Sequence, residues 1–304
     1  MVKRTICALA LLVIAPMALA ATAAHKSFAS PEAGITALVE AVKADDQPML
    51  LAILGPHGSK LISSGDAVAD RQSREAFLKA YGEANKLVHE GDTQATLVIG
   101  KDEWPMPIPL VKSHAGWRFD TQRGEKEILA RRIGRNELAA IKVCLAIVDA
   151  EREYAAQDLN GDGVPEYAHK FVSTAGKRDG LYWQTKADES LSPLGPLLAA
   201  ATSEGYTGSD SRPLAPYHGY FYRILAKQGK DAPGGAYDYL IKDKMIGGFA
   251  VIAYPARYGA SGVMSFIVNQ DGVVYEKNLG KNTAAIASEM TTFNPDASWK
   301  RLEK

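Results

Sequence analysis

The stretch Asn136-Glu137-Leu138-Ala139-Ala140-Ile141-Lys142-Val143-Cys144-Leu145-Ala146-Ile147-Val148 decides the fold. Leu138, Ile141, Leu145 and Val148 recur at three- and four-residue steps, which predicts one apolar stripe on a helix. The helical pattern runs from Glu125 to Gln157, with Gly134 a candidate break and Asn136 a candidate second cap. A stripe on so long a helix requires a sheet or another helix to cover it. Strand candidates follow at Tyr217 to Leu225, Tyr237 to Ile241, Phe249 to Tyr254, Val263 to Asn269 and Val273 to Lys277. Asp271-Gly272 joins the last two as a tight hairpin, and Lys242-Asp243-Lys244 turns an earlier pair. A short helix over Thr283 to Met290 precedes Pro295 and a polar tail.

Upstream of residue 130 the order is helices first, strands second. Ser30-Pro31-Glu32 supplies a hydroxyl cap, a first-turn proline and an acid at the positive end of the helix dipole. Ile35, Leu38, Val39 and Val42 then share one face. Asp46-Gln47-Pro48 starts a second helix, closed by Gly55-Pro56, and a third runs from about Arg71 to Tyr81. From Gln94 the period changes to two, with Ala95, Leu97 and Ile99 alternating with Gln94, Thr96 and Val98. Ile108 and Leu110, then Trp117 and Phe119, flank a hairpin at Ser113-His114-Ala115-Gly116. Both halves are therefore α+β, and the chain divides into residues 1–23, 25–130 and 131–304.

Residues 1–23 read as a secretory signal. Lys3 and Arg4 precede an apolar run over residues 6–15, and Ala18-Leu19-Ala20-Ala21-Thr22-Ala23 offers cleavage after Ala20 or Ala23. The run is shorter than the roughly 20 residues of a membrane span. The expected location is periplasmic or secreted, with no membrane span after cleavage. Cys7 leaves with the signal, so Cys144 is the one remaining thiol and no internal disulfide forms. Its apolar helical setting predicts a buried, inert side chain. The chain carries 35 basic and 35 acidic residues, and loss of Lys3 and Arg4 leaves 33 against 35. That balance excludes nucleic-acid binding through bulk positive charge.

Three resemblances follow from these residues. Residues 25–130, above all Pro109-Leu110-Val111-Lys112 and Gly116-Trp117-Arg118-Phe119-Asp120, resemble the nuclear-transport-factor-2-like cone, whose helices pack across a bent sheet around a pocket. Residues 131–304 resemble the globular head of a type II secretion pseudopilin. The residues carrying this are Asn136-Glu137, the loop Asp158 to Tyr167, Tyr217-His218-Gly219-Tyr220, Ala253-Tyr254-Pro255 and Gln270-Asp271-Gly272-Val273. Pseudopilins begin with an apolar anchor helix where this chain has another domain, so only a head-like fold carries over. The whole mature chain is similar to the bacterial Domain of Unknown Function 2950 family. Matching stretches include Ser63-Ser64-Gly65-Asp66, Arg131-Arg132-Ile133-Gly134-Arg135-Asn136-Glu137, Lys177-Arg178-Asp179-Gly180 and Ile246-Gly247-Gly248-Phe249. This resemblance implies an exported bacterial protein and assigns no activity.

The sharpest chemical feature is Asp158-Leu159-Asn160-Gly161-Asp162-Gly163-Val164-Pro165-Glu166. Asp158, Asn160, Asp162, the Val164 carbonyl and Glu166 follow the start of a calcium loop, in which alternate residues turn oxygens inward. His169 stands where a bidentate Glu closes such a loop, so the site is incomplete or borrows a ligand; a metal-free Asp/Asn/Gly turn is the alternative. Twelve of the thirteen tyrosines follow residue 150, and Tyr217, Tyr220 and Tyr222 are a candidate partner surface, with aromatic pairing inside a sheet as the alternative. Asp231-Ala232-Pro233-Gly234-Gly235-Ala236 reads as a turn, since no helix and lysine follow as in a phosphate loop.

No nucleophile elbow and no local pair of zinc-spaced histidines occurs. The sequence thus predicts a non-catalytic exported protein that contacts an envelope protein partner, its second domain steadied by calcium. The rival is a small-molecule binder or hydrolase with a pocket in the first domain, near His89, Asp92, Trp104 and Trp117.

Overall fold

The computed structural model describes residues 25–159, 163–186, 188–206 and 215–303. The signal segment, Asn160 and Asp162 lie outside the described residues. The α+β class holds, with antiparallel sheets and helices around two separate hydrophobic cores. Among the described residues no helix is long and apolar enough to cross a membrane.

Three helices open the first half: α1 (Pro31–Lys43), α2 (Gln47–Leu54) and α3 (Ala67–Glu83). Each start is capped as its sequence demands. Ser30 Oγ accepts from the Ala33 N–H at 3.2 Å, Asp46 from Met49 at 2.9 Å and Asp66 from Ala69 at 3.0 Å. Between α2 and α3 the chain forms a tight strap, a short turn of 3-10 helix followed by one α turn over Ser59–Ile62. The sheet consists of β1 (Asn85–Glu90), β2 (Gln94–Ile99), β3 (Leu110–Ser113) and β4 (Gly116–Phe119), in that spatial order, with Trp104–Pro105 paired to the end of β2. Ala95, Leu97 and Ile99 face the helices, as the period of two requires, and close the core with Ile53, Leu110 and Phe119.

A single helix, α4 (Thr121–Ala155), serves both halves. Residue 130 lies inside it, and Gly134 does not break it: Ile128 packs against the first core and Ala140 onward against the second. The buried stripe corrects the one read from sequence. Ala140, Val143, Cys144, Ile147 and Val148 face the sheet, whereas Leu138 is 64% exposed and Leu145 also reaches solvent. Small side chains at Ala140 and Cys144 let the helix sit close on the sheet, and the larger leucines turn to its flank. Burial pushes the Cys144 thiol up to about 12, which keeps it protonated and inert.

After α5 (Gly195–Ser203) the second half is built on β5 (Tyr220–Leu225), β6 (Ala250–Pro255), β7 (Ser265–Asn269) and β8 (Val274–Lys277), followed by α6 (Thr283–Glu289). All pairs are antiparallel, β6 lying between β5 and β7, and Lys300–Arg301 adds to the outer edge of β8. The Lys242-Asp243 turn closes a separate two-stranded hairpin, Leu240–Ile241 with Lys244–Met245, and does not join two strands of the main sheet.

Candidate functional site

The first half holds a cavity of about 720 Å³. Leu38 and Val42 of α1, Leu50 and Leu54 of α2, and Phe77 and Ala80 of α3 form its apolar wall. Ile99, Met106 and Ile108 form the sheet side, with Trp104 at the mouth, 37% exposed. Along α3 the lining runs from Asp70 to Glu83, thirteen residue steps, or about 20 Å at the rise of an α-helix. The cavity is therefore a slot with its long axis along α3.

Charges mark the two ends. At one end Asp70 is buried and accepts the Ser64 N–H through both oxygens, at 3.1 and 2.9 Å. Beside it Arg132 of α4 donates to the Lys60 carbonyl and the Leu61 carbonyl, each at 2.7 Å. Arg74, one turn from Asp70, is held by Asp45 at 3.1 Å. Glu83, Lys101 and Asp102 lie at the far end. Burial lowers the Arg132 pKa, an effect that Asp70 opposes and Arg135 reinforces.

Of the four residues expected near a pocket, only Trp104 lines it. His89 stands on the exposed edge strand β1, 3.7 Å from Glu32. Asp92 occupies the β1–β2 turn, and Trp117 is packed in the core, its backbone bonded both ways to Phe28 at 2.7 and 2.8 Å. Sequence reasoning missed Asp70 and Arg132. A signal for the first existed: Asp70, Arg74 and Phe77 fall at i, i+4 and i+7 on α3 and so share a face.

The strap that bounds this cavity also joins the two halves. Asp66 is 1% exposed and accepts from the Gly219 N–H at 2.8 Å and the Tyr206 O–H at 3.0 Å, besides capping α3. Arg257 donates to the Ser63 carbonyl at 2.8 Å. Asn136 donates to the Ser261 carbonyl at 2.9 Å, and a Glu137 oxygen accepts from the Val263 and Met264 N–H groups at 3.0 Å each. Gly219 sits at φ +76°, and a Cβ there would lie 2.5 Å from the Asn136 amide nitrogen, so this contact requires glycine.

The expected tyrosine surface does not form. Tyr220 is fully buried and donates to the Met264 carbonyl at 2.9 Å; Tyr222 is 8% exposed and donates to the Tyr217 carbonyl at 3.3 Å. The face of β5 that they share belongs to the second core, together with Ala140 and Cys144 of α4. Tyr217 is half-buried against the His218 and Tyr206 rings, at 4.1 and 4.9 Å. In the loop with calcium-like spacing, Asp158 accepts the Gly163 N–H at 2.7 Å. Among the described residues no three His, Cys, Asp or Glu side chains are grouped to hold a metal ion. Asp231 and Asn294 tie the Pro233-Gly234-Gly235 turn to the chain's far end through two bonds of 2.9 Å.

These features define an α+β protein with two cores, one shared helix and an apolar slot in its first half. The model of the family described as "Protein of unknown function (DUF2950)" matches residues 25–302, and the chain belongs to that family. No curated protein and no solved structure matches it.

Proposed function

We propose that this is an exported protein whose first half, a nuclear-transport-factor-2-like cone, binds a small apolar molecule in the slot along α3. The observation that carries the reading is the cavity itself: about 720 Å³, apolar along its length, with a few charged groups at its ends. Such proportions are those of ligand sites. Export rests on the Lys3-Arg4 and Ala18–Ala23 signature, which implies the periplasm or the medium. Contact with an envelope partner has less support, because two of the three tyrosines offered for it, Tyr220 and Tyr222, lie in the second core. The pilin-head reading of the second half rests on one long helix against an antiparallel meander and carries no filament role.

The neutral dye N-phenyl-1-naphthylamine tests the slot. It is expected to bind one per chain, with a Kd in about the micromolar range, brightening as it leaves water. Ala80→Trp, which fills the slot, is expected to abolish the signal while the protein stays folded. A wild-type protein that leaves the dye dark refutes the reading.

We also propose a calcium ion in the loop Asp158 to Glu166, with Asp158, Asn160, Asp162, the Val164 carbonyl and Glu166 as donors. The negative surroundings support it: the charges of Glu166 and Asp179 both reach Tyr154, whose hydroxyl is pushed to about 12 by burial first and by those charges after it. Millimolar Ca²⁺ is expected to raise the thermal midpoint by several degrees over chelator, as binding to the folded state alone requires. Equal midpoints would remove the ion from the proposal.

A further inference from the structure

We infer that the slot is built for an extended apolar chain ending in one oxyanion, with the anion seated at Arg132. The inference rests on the cavity reading above and adds its ligand class. Three observations carry it. The lining follows α3 for about 20 Å, a length that suits an extended chain better than a compact ring system. Its wall between the two ends is apolar, from Leu38 and Leu50 across Phe77 to Ile108. At the strap end stands a guanidinium whose charge has no partner of its own.

The third point follows from counting donors and charges. A guanidinium carries five N–H donors, and Arg132 spends two on the Lys60 and Leu61 carbonyls. Among the described residues no carboxylate comes within ion-pair distance of it. Asp70, the nearest acid lining the same end, has both oxygens on the Ser64 N–H and acts on Arg132 only at a distance. Arg135 adds a second positive charge nearby, and Arg74 is already neutralised by Asp45. The balance at this end is thus one net positive charge, partly withdrawn from water. A carboxylate or phosphate ester headgroup matches it in sign and in the planar, forked donor geometry that arginine offers. The charges at the far end, Glu83, Lys101 and Asp102, sum to one negative and would repel an anion entering the other way round. The slot is therefore polar in direction as well as in shape.

Decanoate and decanol, titrated at pH 8 below their aggregation limits, separate the charge from the chain. Decanoate is expected to bind at least tenfold more tightly than decanol to the wild-type protein, with the preference shrinking as salt rises. Arg132→Gln is expected to bring the two ligands within about twofold of each other by weakening decanoate alone, and Arg132→Lys to restore part of the preference. Equal binding of both to the wild type overturns the oxyanion inference and leaves the cavity reading standing. Binding of neither overturns the cavity reading. A folded Arg132→Gln protein that keeps the full preference overturns the assignment to Arg132. Should that variant fail to fold, the wild-type ratio and the lysine variant decide between the same outcomes.

Discussion

Asp66→Ala is expected to lower the thermal midpoint by roughly ten degrees. Asp66 is buried in the seam and takes three bonds from three separate elements: the Ala69 N–H at the start of α3, the Gly219 N–H at the entry to β5, and the Tyr206 hydroxyl after α5. Alanine leaves all three donors without an acceptor, two of them in the water-poor seam. Loss of a helix cap costs about 1 kcal/mol, and each orphaned buried donor about 1–3 kcal/mol, so a total near 4 kcal/mol is expected. A domain of this size moves by about 2–4 °C per kcal/mol. Tyr206→Phe removes one donor together with its need, and is expected to cost only about 1 kcal/mol. The double variant should then be less destabilised than the sum of the two, by about 1 kcal/mol, because the orphaned hydroxyl is gone. Thermal midpoints of the four proteins test this cycle. Additive losses would mean that the Asp66–Tyr206 bond contributes nothing, and an unchanged midpoint in Asp66→Ala would mean that the seam is held elsewhere.

The seam illustrates what one chain of letters reveals and what it hides. Caps are local, and so Ser30 and Asp46 announce α1 and α2 without further context. The strand β2 is legible because Ala95, Leu97 and Ile99 fill one buried face while Gln94 and Thr96 begin a more open one. Its neighbour β1 is missed for the same reason inverted: an edge strand exposed on nearly every residue has no alternation to read. The stripe on α4 misleads because large side chains dominate a periodicity count, whereas close packing on a sheet selects alanine and cysteine. Gly134 fails as a break because both flanks of α4 are held by cores, and the penalty of about 1 kcal/mol for a helical glycine is small beside that. Tyr220 and Tyr222 share one face of β5, but which face meets α4 depends on the rest of the fold. Asp70 and Arg132 come together across 62 positions, and Asp66 and Gly219 across 153. No spacing rule reaches so far. Yet the family-matching stretches Ser63–Asp66 and Arg131–Glu137 meet at this seam and at the end of the slot, which the quoted motifs alone do not suggest.

Glu151→Gln is expected to flatten the dependence of stability on pH. Glu151 lies in the last turns of α4, fully buried; one oxygen accepts the Ala168 N–H at 2.8 Å and the other has no hydrogen-bond partner among the described residues. Burial holds its carboxyl well above the usual range, and the bond from Ala168 opposes this without overcoming it. The direction fixes the sign. In the unfolded chain the group ionises near pH 4, whereas in the folded protein it keeps its proton to higher pH. Between those two values the folded state binds more protons than the unfolded state, so stability falls as pH rises, by up to about 1.4 kcal/mol per unit, and levels off above the folded value. Glutamine offers the same acceptor to Ala168 and carries no proton to lose. Urea midpoints at pH 5, 6, 7 and 8, with chelator present so that no cation near the following loop supplies countercharge, separate the two proteins. The wild type should lose stability relative to the variant as pH rises from 5, and the variant should be the more stable at pH 8. Parallel curves would mean that Glu151 is ionised in the folded protein, with a positive partner at its open oxygen. Ala168, after the loop Asp158 to Glu166, belongs to the second core and bonds back to Glu151 of α4, where a neutral acid is enclosed at less cost than a charged one.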